Sequence, residues 1–494
     1  MEKNWQELRA RLTLPTQAFV NGVYEKNHQD GVFDVINPAT DETLAQVHNA
    51  GEACVNRAVA AAKSAFQNRV WAGLSIDERK AVLCRLADLI LAHGDELALL
   101  DSISMGKPVN EALNIDVAGS AYILRWYAEA LDKMFDQVAP TPSNALATIT
   151  REAIGVVAAV VPWNYPLEMA IWKLAPALAV GNSVVLKPAE QSPFSALRLA
   201  ELAIEAGMPA GVFNVVTGTG ELTGRLLGLH MDVDCLTFTG STAVGKMFMS
   251  YSAQSNLKQV WLECGGKSPN IVFQNCKHLE HAAQKSLAGI FFNQGEVCSA
   301  NSRLYVERPI YAEFLALLEQ HAATWQPSQP LQADAKAGAL ISRSHALWIE
   351  EQVAAAVARG ATVLTGGKVF SIDGKGTFFQ PTILINTTVD DDVNQQELFG
   401  PVVSVLPFDS EDEVINWAND SVYGLAASIW TDDIHQAHRV AKRLQAGTVS
   451  VNTVDALGVT TPFGGYKQSG FGKDLSLFAF DKFVNLKTTW FQIL

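Results

Sequence analysis

Between residues 154 and 270 the chain alternates strand and helix, and this alternation constrains the fold more than any other feature. IGVVAAVV is rich in β-branched residues and reads as a buried strand. PWNYP follows as a rigid turn. Leu167 to Val180 reads as a helix that stops at Gly181, with Pro176 inside as a candidate kink. NSVVLKP is a second strand, and Ser192-Pro193 opens a helix with Ser as N-cap. GVFNVVTG and CLTFTGS are further strands, leading to helices from about Glu221 and Thr242, and QVWLECGG is a fifth. Parallel strands with right-handed crossovers form a doubly wound α/β sheet, which binds ligands at the carboxyl ends of its strands.

A second alternating region, from about 270 to 450, predicts another α/β domain. Residues 1–130 read as mostly helical. FDQVAPTPSNALATITREA and DKFVNLKTTWFQIL read as extended arms able to pair with another subunit's sheet. A length of 494 residues fits two or three domains. The net charge of −14 argues against a phosphate-backbone binder, so no nucleic-acid partner is expected. The first residues lack the apolar core of a signal peptide, and Ala153 to Val161, the longest oily run, is too short to span a membrane. The expected location is cytoplasmic. Six cysteines occur without C-x-x-C or zinc-site spacing, so neither a disulfide framework nor a metal site is expected.

The residues after each strand carry the chemistry. In PWNYP, Asn164 is a fixed amide donor or the centre of an Asx turn. In LKPAE, Lys187 and Glu190 suit ribose hydroxyls, or form a solvated surface pair. TGTGELTG places Gly218, Gly220 and Gly224 one residue beyond the usual dinucleotide spacing. FTGSTAVG sets Gly240, Ser241 and Gly245 at a helix N-terminus, an arrangement suited to pyrophosphate and equally to a plain βα turn. In WLECGGKSP, Glu263 ends a buried strand. Burial would raise its pKa and make it a general base; ties to local backbone N–H groups are the commoner outcome. Cys264 reads as an inert packing thiol. Cys298, in FFNQGEVCSA, sits among small and polar residues. A free thiol is only about 3% thiolate at pH 7, so a nucleophile here needs help. None of the ten histidines lies in these loops. A carboxylate base, a lone Cys, an amide donor and a dinucleotide together suggest aldehyde chemistry.

Seven segments, in order, resemble the aldehyde dehydrogenase superfamily over almost the whole length: PWNYP (162–166), WKLAPALAVGNSVVLKPAE (172–190), FTGSTAVG (238–245), LECGGKSPNIVF (262–273), FFNQGEVCSA (291–300), QELFGPV (396–402) and PFGGYKQSGFGKD (462–474). The resemblance implies two Rossmann-like domains and a small β oligomerisation arm. The NAD-binding domain would comprise 1–130 and 154–262, the catalytic domain 263–465, and the arm 131–153 with 475–494. It implies Cys298 as nucleophile, Asn164 in the oxyanion hole, Glu263 activating water and Lys173 positioning cofactor or relaying protons. Cofactor contacts would come from Pro162, Trp163, Lys187, Glu190, Gly220, Gly224, Phe238, Gly240, Ser241, Gly245, Glu397 and Phe399. Glu190 would accept from a 2′-hydroxyl and repel a 2′-phosphate, favouring NAD over NADP incompletely. Asp474 stands where some relatives have Glu in a proton path.

LRWYAEALDK (124–133) and residues 466–490 are most similar to γ-glutamyl-γ-aminobutyraldehyde dehydrogenases of putrescine breakdown, with guanidinobutyraldehyde and betaine aldehyde enzymes close behind. The resemblance implies a substrate channel lined by Tyr165, Met169, Trp172, Val297, Asp455 and Leu457. Asp116, Glu168 and Asp455 are candidates to attract a cationic substrate end; solvated helix and loop carboxylates fit each as well. A CoA-acylating semialdehyde dehydrogenase is disfavoured by Glu263, and a silent structural protein by intact Cys298, Asn164 and Glu263. A homodimer or homotetramer is expected.

Overall fold

The structure, a computed structural model, describes residues 3–26 and 31–493. The first sheet is built on five parallel strands: β1 (Val156–Val160), β2 (Ser183–Lys187), β3 (Phe213–Val215), β4 (Cys235–Thr239) and β5 (Gln259–Glu263). Their order in the sheet is β3-β2-β1-β4-β5. The order reverses between β1 and β4, and a doubly wound sheet opens its ligand crevice at that point. PWNYP follows β1 and TGS follows β4, so both motifs meet at the crevice. Every residue of β1, β2 and β4 is buried, as expected of a sheet with helices on both faces.

The helix after PWNYP, α1 (Pro166–Ala179), starts with Pro at its first turn and continues through Pro176. All but one of its residues are buried, so its last carbonyls need partners inside the protein. Trp71 Nε1 donates to Leu178 O at 2.8 Å and Arg79 Nε to Ala179 O at 3.2 Å. The next helix, α2 (Phe194–Glu205), departs from the sequence expectation. Pro193 takes the N-cap position, and the Ser192 hydroxyl instead donates to Trp163 O at 3.3 Å, tying down the PWNYP loop.

The second sheet contains β6 (Pro269–Val272), β7 (Arg303–Glu307), β8 (Thr362–Thr365), β9 (Thr382–Ile385), β10 (Val402–Phe408), β11 (Ala426–Trp430) and β12 (Thr448–Val451). They run in the order β8-β9-β10-β7-β6-β11-β12, with only β8 antiparallel to its neighbour. A third sheet pairs Val484–Gln492 with Ala145–Ala153, and the latter with Gln137–Ala139. Leu477–Phe483, expected in the extended arm, is a helical turn instead, and its Phe480 and Phe483 join the core of the first sheet. Two residues just before it, Gly470–Phe471 (β13), add antiparallel to β5 at the edge of the first sheet.

Candidate active site

The loop after β1 and the segment before Cys298 hold one another in place. Asn164 is buried, and its Nδ2 donates to Glu296 O at 2.8 Å, while Asn293 Nδ2 donates to Asn164 O at 3.3 Å. A contact 132 residues away fixes this amide, rather than a local Asx turn, and leaves its second N–H for a ligand. Before Cys298, Asn293, Gln294 and Gly295 lie consecutively at φ of 48°, 57° and 73°. Two non-glycine residues in the left-handed region cost of order 1–3 kcal/mol each. Long-range bonds offset this: Gln294 Oε1 accepts from Gly338 N at 3.0 Å, and Glu296 Oε1 from Ile341 N at 2.9 Å. Glu296 is fully buried, and burial pushes its pKa well above the carboxylate range, so it acts as a neutral clamp.

Cys298 is half-buried and faces a cavity of about 610 Å³. Burial, then the charges of Glu397, Asp455 and Glu263, raise its thiol pKa far above the ordinary value. The resting sulfur is therefore a thiol and needs a base. Glu263, at the end of β5, lines the same cavity. Both its carboxyl oxygens are buried without a hydrogen-bond partner, so it is not tied to local N–H groups. Burial first, and Asp474 next, push its pKa up to about 8, while Lys173 and Lys482 pull it down. Behind it, Asp474 bridges the ammonium groups of Lys173 and Lys482, all three deeply buried. Lys173 therefore stands behind the cavity wall.

On the other side the wall is formed by Pro162, Trp163, Thr239, Gly240, Ser241, Glu397 and Phe399. Ser241 caps helix α3 (Thr242–Gln254), its Oγ accepting from Val244 N at 3.3 Å. Thr239 Oγ1 is buried and has no partner. Glu397 accepts from Gly266 N at 2.9 Å, and a Cβ on Gly265 would run into its carboxylate. Burial lifts Glu397 to about 7. Phe399 sits at φ 54°, meets Trp163 edge-on at 5.4 Å, and its carbonyl accepts from His345 Nε2 at 2.8 Å. Lys187, Glu190, Gly220, Gly224, Phe238 and Gly245 are not part of this wall: Lys187 ends β2, Glu190 follows it, Phe238 lies within β4, Gly245 within α3, and Gly220 and Gly224 bound a helical turn after β3. Lys187 Nζ donates to Pro188 O at 2.9 Å and lies 3.4 Å from Glu190, and a Cβ on Gly224 would touch the Lys187 stem at 3.8 Å. Space around Gly220 is open to 4 Å. A Cβ on Gly240 would strike the Phe238 ring, and one on Gly245 the Cys264 sulfur.

Tyr165, Met169, Trp172, Val297, Asp455 and Leu457 line the remaining wall, together with Glu168 and Ile115. Asp116 does not. It points away into the protein, fully buried and paired with Lys107. Sequence reasoning missed His345, in helix α4 (Arg343–Ala358), which does line the cavity and marks no motif of its own. It also missed Ser299, whose hydroxyl donates to Asp455 at 2.7 Å, although Ser299 adjoins Cys298. Among the described residues no disulfide and no cluster of metal-ligating side chains occurs, and no helix is long and apolar enough to cross a membrane.

A thiol, a fixed amide and an unpaired carboxyl at the switch point of a doubly wound sheet define an enzyme that works through covalent cysteine chemistry beside a nucleotide crevice. Residues 24–489 match the aldehyde dehydrogenase family model. The chain is 46% identical over 489 residues to the NADP/NAD-dependent aldehyde dehydrogenase PuuC of Escherichia coli, covering 99% of this chain and 98% of that protein. It superposes with a TM-score of 0.97 on a γ-glutamyl-γ-aminobutyraldehyde dehydrogenase from Burkholderia cenocepacia, at 48% identity and 99% coverage of both chains. It superposes with a TM-score of 0.98 on the P. syringae indole-3-acetaldehyde dehydrogenase AldA in complex with NAD+ and IAA, at 47% identity and 99% coverage of both chains. The chain belongs to the aldehyde dehydrogenase family.

Proposed function

We propose that this protein oxidises an aminoaldehyde, of the kind released in putrescine breakdown, to its carboxylate, with NAD preferred and NADP a weaker oxidant. The observation that carries this reading is the convergence of Cys298, Asn164 and Glu263 on a cavity whose other wall is Gly240, Ser241, Glu397 and Phe399. The likeness to γ-glutamyl-γ-aminobutyraldehyde dehydrogenase supports the substrate class.

The residues present fit a dinucleotide. The N-terminus of α3 suits pyrophosphate, Lys187 and Glu190 suit the adenosine ribose, and Glu397 suits the second ribose. The unpartnered Thr239 hydroxyl and the space that Gly265 leaves for Glu397 fit the same assignment. NAD, when bound, supplies the hydride acceptor.

The chain's own residues do the rest. Cys298 gives up its proton to Glu263, directly or through water, and its sulfur bonds to the aldehyde carbon as the carbonyl π bond breaks. The new oxyanion accepts from the free Asn164 N–H and the Cys298 backbone N–H, and a donor of this kind contributes about 3–4 kcal/mol. Once hydride has left the carbon, the acyl group rests on Cys298 as a thioester. Glu263, cleared of its proton, takes one from water. The water oxygen bonds to the acyl carbon, the C–S bond breaks, and the sulfur is reprotonated. One aldehyde and one water become one carboxylic acid, with one hydride (two electrons and a proton) passed on and a second proton, the one Glu263 took from Cys298, released to solvent.

Residues 1–130 and 154–262 serve cofactor binding, 263–465 catalysis, and the arm strands a homodimer or homotetramer in the cytoplasm. A panel of aldehydes assayed with NAD and with NADP, without CoA, tests the reading. NADH forms fastest with ω-aminoaldehydes; a requirement for CoA, or no activity with any aldehyde, overturns it.

A further inference from the structure

Three carboxyls were candidates for holding a cationic substrate end, and the structure separates them. The charge of Asp116 is taken up by Lys107, and the pair is sealed off from the cavity. Lys107 is doubly committed, because its Nζ also lies 3.5 Å from the centroid of the Tyr165 ring. That face of Tyr165 is therefore occupied and offers nothing to a ligand cation. Asp455 accepts from Ser299 Oγ beside Cys298, and its charge bears on the Cys298 thiol as well as on Glu168, so this carboxyl is already engaged close to the reacting sulfur. Glu168 differs from both. It sits in the first turn of α1, lines the cavity, and makes no ion pair among the described residues. The Trp172 indole N–H, four residues on, approaches it without reaching hydrogen-bond geometry. Gly119 leaves room for it: a Cβ there would lie 3.2 Å from Glu168 Oε1. Its cavity neighbours Ile115, Met169, Trp172 and Leu457 are apolar. A carboxyl in such a wall lacks a counter-charge, and an ammonium would supply it.

We propose that Glu168 is the specificity residue of this site, receiving the ammonium end of an ω-aminoaldehyde whose carbonyl lies at Cys298. The proposal rests on the aminoaldehyde reading and deepens it. Without ligand, burial first and the Asp116 charge next raise the Glu168 pKa to about 8, with Lys107 opposing. An ammonium arriving beside Glu168 draws it into the ionised form. Apolar walls on either side carry the methylene chain between the two ends.

The test compares kcat/KM for 5-aminopentanal with that for hexanal, which has the same number of heavy atoms and no charge. Wild type, Glu168→Gln, Glu168→Asp and Asp455→Asn are measured with saturating NAD. Wild type favours the amine. In Glu168→Gln the amine-to-hexanal ratio falls tenfold or more, chiefly through KM for the amine, as expected for a hydrogen bond to a charged group. Glu168→Asp keeps the charge and restores part of the ratio; it also serves if Glu168→Gln does not fold. Asp455→Asn lowers both substrates together. If wild type favours the amine and Glu168→Gln keeps the same ratio, the proposal is wrong and the aminoaldehyde reading stands. If wild type shows no preference for the amine, the aminoaldehyde reading fails and takes the proposal with it.

Discussion

Burial first, and the Asp474 charge next, favour the protonated form of Glu263, and no hydrogen bond to its carboxyl oxygens opposes them. With a pKa near 8, its basic form gains population as pH rises through 8 and is lost as pH falls below it. Where hydrolysis limits turnover, kcat should therefore climb between pH 7 and 9, and a pH–rate profile checks this. Glu263→Gln should flatten the profile, lower kcat by about 10²–10⁴ and slow the rapid-mixing burst of NADH as well, because the same group takes the Cys298 proton. A burst of unchanged rate would show that Glu263 is needed only after hydride transfer. Glu190 predicts a different readout. Glu190→Gln removes the charge that opposes a 2′-phosphate, so the NADP-to-NAD ratio of kcat/KM should rise about tenfold. An unchanged ratio would take Glu190 out of cofactor choice.

At the scale of elements, the site is held by loops that brace one another. Gly295 sits at φ 73°, and a Cβ there would enter the backbone of Gly400 and Pro401. Gly295→Ala should thus part the Cys298 loop from the Phe399 loop, lowering kcat/KM for both aldehyde and NAD, as steady-state kinetics would show. The triad behind Glu263 governs stability. Asp474→Asn leaves two buried ammonium groups without their counter-ion and should cost about 3–5 kcal/mol, seen as a lower Tm in calorimetry. The Asp474 pKa is depressed: burial alone would raise it, and Lys173 and Lys482 outweigh that. Its contribution is present above the unfolded value of about 3.9 and disappears as pH falls through the lower, folded value. These elements also show what a sequence can reveal. The parallel strands were legible because Val156–Val160 and Cys235–Thr239 are short, wholly buried runs bounded by turn residues. Asn164 and Cys298 were legible because each lies in a short loop at a strand or helix end. The Lys173–Asp474 pair was not, since 301 residues separate its members. Asp116 misled for the same kind of reason: its partner Lys107 is nine residues away, but no pattern showed that both turn inward. His345 carries no motif because its contact, the Phe399 carbonyl, is backbone.

For the whole molecule, the third sheet leaves Leu486 and Trp490 exposed on the same face of one long strand. Apolar side chains in such a row mark an interaction surface. Trp490→Asp combined with Leu486→Lys should lower the sedimentation coefficient toward that of a single 53.4 kDa chain. An unaltered coefficient would remove the arm from assembly. The short strand β13 has a consequence of another kind. Glu263 lies on β5, and the outer neighbour of β5 is formed by Gly470 and Phe471, more than two hundred positions downstream. On the ribosome, the strand bearing the base therefore waits with an open flank while the entire second α/β region is translated. A nascent polypeptide stalled before this point would already hold Cys298 and Asn164 yet lack a settled base, so catalytic competence arrives late in synthesis rather than growing with chain length.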